Sequence, residues 1–303
     1  MKRTPPRRAF VRITLYLLYL SGLLSYCRPP QIEQPTTLPL PPEGCKIVRT
    51  IYKNRVASIA NSKEVDSERL TLDDGRQVRV SLATTTTYSY DQQGRITEEN
   101  NQNPDGSYYI INFAYSDRQL IQSIKSYNKP DNLSFTDTDT ISINQVGLWT
   151  IYNSDGKSLY VYNAEGQMVS SSPDRPAILN RYLNGNLTEQ TRFATWVQQN
   201  GQWIPTDYQL IRHEHDLARP NLPEPRQFLG ATSRNLPTKE VWEMWLSSAF
   251  DDGPVYQRTF RYSFDKRGLV KRRIANGKAL NPQWLMEEDP YGVGVIDYEY
   301  ACP

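Results

Sequence analysis

Both histidines of the chain fall in one pentapeptide, "RHEHD", as His213 and His215. Residues i and i+2 of a strand project from the same side. The two imidazoles could therefore clasp one metal ion, with Asp216 in reach as a carboxylate. Catalytic zinc normally takes three protein ligands around an open position, and the chain has no third histidine. Two histidines on a polar strand are more commonly a solvated pair. Metal binding at His213 and His215 is a minor reading, and a metal-dependent enzyme there is more remote still.

Other reaction classes need constellations that the sequence lacks. It contains no Gly-x-Ser-x-Gly elbow, no P-loop and no cysteine placed with a histidine. "YGVGVI" holds Gly292 and Gly294 without a following helical pattern, so it reads as a strand entry rather than a phosphate cradle. Asp73–Asp74 in "LDDG" and Asp251–Asp252 in "DDGP" read as tight turns. With no assembled constellation, the expectation is a non-enzyme without a cofactor.

Binding chemistry is better supplied. Trp149, Trp196, Trp203, Trp242, Trp245 and Trp284, with 20 tyrosines, could furnish an aromatic platform for glycans. The alternative is that most lie in the core, where large aromatics usually go. Exposed coplanar rings beside polar pairs would mark a glycan site, and a flat apolar patch a protein partner.

The three cysteines have separate uses. Cys27 follows a basic stretch (Lys2, Arg3, Arg7, Arg8, Arg12) and an apolar run from Ile13 to Leu24. That run is too short for a membrane span, which needs roughly 20 apolar residues, and reads as an export signal. Leu24, Ser25 and Cys27 resemble the lipobox of bacterial lipoproteins, with Tyr26 departing where Gly, Ala or Ser is usual. The resemblance implies a lipid on Cys27; the alternative is an ordinary signal cut nearby. "RRAFVR" is also similar to a twin-arginine export signal. Cys45 and Cys302 open and close the remaining chain. Strand alternation puts Cys45 with Ile47 and Ile51, and Cys302 with Ile296, Tyr298 and Tyr300. Both thiols then point with an apolar face, as a buried inter-strand bridge requires, and an exported protein can keep one. Two free buried cysteines are the alternative. Such a bridge would contribute about 5 kcal/mol through chain entropy.

Positioning these groups falls to a tether and one domain. Prolines 29, 30, 35, 39, 41 and 42 make residues 28–44 an extended spacer, which at about 3 Å per residue reaches on the order of 50 Å. The expected division is a signal at 1–26, lipidated Cys27 with its tether at 27–44, and one domain at 45–303. The whole chain has 35 Lys+Arg and 33 Asp+Glu; five basic residues lie in the signal, leaving 30 against 33. That balance offers no support for a nucleic-acid partner.

Within the domain one pattern recurs. "TYSYDQQGRI" has Tyr88, Tyr90, Asp91 and Gly94; "LYVYNAEGQMV" has Tyr160, Tyr162, Asn163 and Gly166; "FRYSFDKRGLV" has Tyr262, Phe264, Asp265 and Gly268. "TIYNSDGKSL" repeats it with Tyr152, Asn153 and Gly156, and "FAYSDRQLIQ" keeps Phe113, Tyr115 and Asp117 without the glycine. Aromatics at i and i+2 share a strand face, Asp or Asn opens a turn, and Gly takes the positive φ that launches the return strand. "VYQRTFRYSF" and "GVGVIDYEYAC" alternate with period 2. "TKEVWEMWLSSAF" fits strand or helix, while residues 128–139 and 217–230 read as long loops.

Tyr90-Asp91-x-x-Gly94-Arg95-Ile96 resembles the tyrosine–aspartate repeat of the Rhs family. The lipobox, the Pro-rich tether, "CKIV", "YEYAC" and "RNLPTKEVWEM" together resemble a domain family of unknown function in bacterial envelope lipoproteins. The resemblance implies a fold and a location, and brings no catalytic residues. The expectation is an all-β antiparallel meander of consecutive hairpins in one curved or partly closed sheet. It would be a non-catalytic binding or scaffold module, lipid-anchored in the cell envelope, outer membrane first. A glycan or an envelope protein is the expected partner, and a carbohydrate-binding lipoprotein the alternative.

Overall fold

The computed structural model describes residues 40, 42–55, 65–129, 132–152, 156, 158–173, 175–245, 253–280 and 292–303. Cys27, Asn153, Asp251, Asp252 and Trp284 lie outside them. The strands are β1 (Lys46–Arg55), β2 (Glu68–Thr71), β3 (Gln77–Tyr90), β4 (Ile96–Gln102), β5 (Tyr108–Tyr115) and β6 (Gln119–Lys129). Then come β7 (Asn132–Ile143), β8 (Trp149–Thr150), β9 (Val161–Tyr162), β10 (Met168–Ser170), β11 (Ile178–Leu183) and β12 (Asn186–Gln199). The last are β13 (Gln202–Pro220), β14 (Asn235–Trp245), β15 (Gly253–Phe264), β16 (Val270–Ala279) and β17 (Val293–Ala301). All 17 belong to one antiparallel sheet that is not closed into a barrel.

The seam of the sheet is its first strand. β1 pairs with β3 on one edge and with β17 on the other. From β3 the ladder runs through β4, β5, β6 and β7 to β8. From β17 it runs back through β16, β15, β14, β13, β12 and β11 to β10 and β9. The chain's last strand thus closes on its first, and Cys45 and Cys302 form a disulfide across that seam, with Cα atoms 4.1 Å apart.

The recurrent pattern is a three-residue hairpin loop. Gly94 donates its N–H to the Asp91 carbonyl and Asp91 donates to Arg95, both at 2.9 Å. The Asp91 carboxylate accepts the N–H groups of Gln93 and Arg95 at 3.0 and 2.9 Å. Asn163 and Asp265 repeat the arrangement with Gly166 and Gly268. Asn144 with Gly147 is a further copy, preceded by Ile143 where the others carry an aromatic. Gly94 sits at φ +84°, where an L side chain is strained.

These four turns lie at one end of the sheet, and the residues before them fill it. Ile96, Ile111, Phe113, Leu120 and Ile143 form one inner cluster; Ile47, Leu236, Val270 and Tyr298 form a second. Motif tyrosines span neighbouring strands there. Tyr90, Tyr162 and Tyr262 donate their hydroxyls to the carbonyls of Ile47, Trp149 and Pro237 at 2.6, 2.6 and 2.7 Å. A buried phenol needs such a partner, which is why Tyr rather than Phe recurs. Burial pushes the Tyr162 phenol up to about 12.

Residues 221–234 form a strap across this end. Leu222 packs on the Tyr298 cluster and Phe228 on the Phe113 cluster, with Phe113 and Phe228 ring centres 5.6 Å apart. Arg226 pairs with buried Glu99 at 2.8 Å, and Ala231 donates to the Gly166 carbonyl at 2.9 Å. The strap therefore touches both wings of the sheet.

Several expectations change. Residues 128–139 are no long loop: β6 and β7 pair down to Lys129 and Asn132. The long loop at 217–230 starts only after Pro220, where β13 ends. The expected antiparallel meander is what forms, with β1 joining its two runs by pairing with β3 and β17. A bulge after Ile47 turns Ile51 away from the Cys45 face, so Ile51 stands opposite Asp297. "TKEVWEMW" is strand.

Candidate functional site

Away from the strap, the inner face of β13, β14 and β15 carries its densest chemistry. Register puts His213 opposite Glu240 and Glu240 opposite Arg258, with Ile211, Trp242 and Tyr256 in the adjacent row. His213 Nδ1 stands 3.6 Å from Glu240 Oε1, and Arg258 Nη1 3.9 Å from Glu240 Oε2. The Arg258 guanidinium lies over the Trp242 and Tyr256 rings at 5.6 and 5.7 Å. A Cβ on Gly277 would collide with the Tyr256 hydroxyl, so the small residue makes room for that ring. Burial, with Arg192 nearby, lowers the His213 pKa to about 4. His213 is thus neutral at pH 7, and its contact with Glu240 is not an ion pair.

Among the described residues, three buried atoms of this patch find no hydrogen-bond partner: His213 Nε2, Trp242 Nε1 and Arg258 Nε. Buried polar groups are normally satisfied, so the patch holds unused hydrogen-bonding capacity: two N–H donors and an imidazole nitrogen.

His213 and His215 do share the inner face, with ring centres 6.4 Å apart. They turn to different partners, since His215 Nε2 meets Ser233 Oγ at 3.2 Å. Asp216 instead accepts the Ala218 N–H at 3.0 Å. Among the described residues no group of three His, Cys, Asp or Glu side chains could hold a metal ion. Sequence reasoning missed Glu240 and Arg258, because their approach to His213 is a cross-strand register that no local spacing records. Asp73 pairs with Arg261, and Asp74 holds Arg76 in its turn. Gly294 makes room for the Tyr52 ring.

The tryptophans scatter. Trp149 meets Tyr160 edge-on and Trp242 meets Tyr256 likewise. Tyr208 and Trp245 stack at 15° on the outer face beside Phe193, and Trp196 packs on Phe193. Trp203 is exposed, with Arg175 over its ring.

The outer face is laced with ion pairs. Arg49 meets Glu299, Lys239 meets Glu214, and Arg181, Glu189, Arg212 and Glu243 form a chain across β11 to β14. A lipid-facing strand surface excludes such charges from its apolar band, so this face belongs in water. Part of its apolar surface is covered by the β2–β3 hairpin, where Leu70, Leu72 and Val80 pack on Val293 and Val295. At its border Lys53 pairs with Asp66 and Glu68, and Arg272 with Glu68 and Asp297.

No protein-family model matches the chain, and no curated protein does. Among solved structures, a porin-like protein from Bacteroides uniformis is similar at 14% identity and a TM-score of 0.39, over 84% of this chain and 98% of its own. A porin-like protein from Bacteroides vulgatus covers the same shares at 9% identity and a TM-score of 0.24. Superpositions this loose carry no argument about what this chain does.

Proposed function

We propose that the chain is an exported, lipid-anchored protein of the cell envelope whose β domain is a non-catalytic binding or scaffold module. The observation that carries the reading is the order of its first 45 residues: basic stretch, short apolar run, Leu24-Ser25-Tyr26-Cys27, a proline-rich spacer, and then Cys45 opening the sheet. Cys45, which opens the sheet, lies beside Pro223 and Glu224 of the strap. The β6–β7 and β12–β13 hairpins run to the end of the sheet opposite the strap. The ion-paired outer face and the unused polar atoms around His213 support a water-exposed module that takes a partner. Glycan binding is the second reading, supported by the stacked, half-buried Tyr208 and Trp245 rings next to the Arg212–Glu243 pair.

Intact mass of the protein recovered from the membrane fraction tests the anchor. The expected product begins at Cys27 with acyl chains, and Cys27→Ala moves the protein to the soluble fraction. A soluble parent protein cut elsewhere overturns the proposal.

A further inference from the structure

Among the described residues, β7 has no strand partner along most of one edge. β6 pairs with it from Ser142 down to Asn132, whereas β8 reaches only Ser142 and Ile143. Asn132 to Thr140 are exposed at every position. Register tells which groups that edge offers. Ile143 donates its N–H to the Arg118 carbonyl, on the β6 side. In an antiparallel ladder, N–H and C=O of one residue point the same way and alternate along the strand. Thr136, Thr138 and Thr140 therefore direct both groups away from β6. Among the described residues the Thr138 N–H meets the neighbouring Asp137 carboxylate, at 2.9 Å, and no strand partner.

The same alternation sets Asp137 and Asp139 side by side on the inner face, opposite Ile124 and Gln122. No cation among the described residues pairs with either. Opposite charges across a strand pair stabilise it and like charges destabilise it.

We infer that this edge takes an extended segment of a separate basic polypeptide. The segment adds as a further strand, with alternate Lys or Arg side chains opposite Asp137 and Asp139. Main-chain hydrogen bonds to Thr136, Thr138 and Thr140 supply affinity, and the two aspartates supply selectivity. The inference rests on the domain being a binding module and names the chemistry of its partner. A second copy of the chain fits worse. Antiparallel self-pairing centred on Thr138 sets Asp137 against Asp139, and centring it on Thr136 sets them against Phe135 and Leu133.

The test uses the full lipidated chain in detergent and a fluorescent ten-residue peptide of alternating Lys and Thr, with a Glu–Thr peptide as control. The Lys–Thr peptide is expected to bind and to slow amide exchange at Thr136, Thr138 and Thr140. Thr138→Pro removes an outward N–H without touching the β6 ladder and should abolish binding while the melting temperature holds. Asp137→Lys with Asp139→Lys should reverse the preference, moving the ratio of the two affinities about tenfold or more. Equal binding of both peptides, protection elsewhere, or binding that survives Thr138→Pro overturns the inference. So does binding of neither peptide, which leaves the aspartates as edge protection alone. Protection of the same amides in a dimer without peptide assigns the edge to a second copy instead. None of these failures touches recovery of a lipidated chain from the membrane, so the anchor reading stands or falls separately.

Discussion

The two ends of the sheet are made from the same strands and are built in opposite ways. At the strap end, each hairpin turn is preceded by apolar or aromatic residues that point inward and meet residues 221–234. At the far end, β6–β7 and β12–β13 run on beyond their neighbours. Asn132 to Thr140 are exposed throughout, and so are Val197, Trp203 and Ile204. One end buries rings and satisfies their hydroxyls; the other leaves backbone and side chains to solvent. Local stability follows buried contact, so the strap end is the foundation and the far end is the part free to engage something else.

Removing the disulfide tests that ranking most severely. Reduction, or Cys302→Ser, should cost about 5 kcal/mol in the chain-entropy model, read as a fall in the urea midpoint. Exchange protection should then be lost along the β1–β17 seam. If β6–β7 lost protection instead while the seam held, the strap end would not be the foundation.

A matched pair of substitutions comes next. Phe228→Ala should cost about 3–5 kcal/mol, as for a large aromatic removed from a core. Phe135→Ala, at 54% exposure, should stay within about 0.5 kcal/mol. Similar values for the two, measured by denaturant titration, would erase the contrast.

Acid probes the inner face between the two ends. His213 has a folded pKa of about 4 against an ordinary 6.5, so between those values the unfolded chain binds the extra proton. Stability should fall as pH drops through that window, by about 3 kcal/mol at most. His213→Gln should flatten the slope by that share; an unchanged slope would mean His213 is more hydrated than its packing indicates.

The smallest expected effect separates two turn carboxylates at different positions in their loops. Asp91→Ala removes the acceptor for the Gln93 and Arg95 N–H groups in a strap-end turn and should cost about 1 kcal/mol. Asp105 accepts only the Ser107 N–H and hydroxyl at a far-end turn, so Asp105→Ala should cost less. The difference is measurable as a shift in melting temperature.

Three of the hairpin turns were legible from their own residues. Tyr90-Asp91 and Gly94, Tyr162-Asn163 and Gly166, and Phe264-Asp265 with Gly268 are complete instructions, because a hairpin loop is satisfied by its own residues. The copy at Asn144 escaped because Ile143 replaces the aromatic, although the turn chemistry is the same. The strap escaped for the opposite reason: nothing within residues 221–234 announces that Arg226 will meet Glu99 or that Phe228 will enter a core 115 residues upstream at Phe113.

Sequence by itself determined the strand periodicity, the turn positions and the pairing faces of the cysteines, since each depends on neighbours within a few residues. Tertiary structure alone decided that β1 would be the seam, that a bulge would turn Ile51 outward, and that His213 would face Glu240 rather than a metal. Those outcomes depend on register between strands far apart in the chain. A one-residue shift reverses every side chain, and only the packed sheet fixes it.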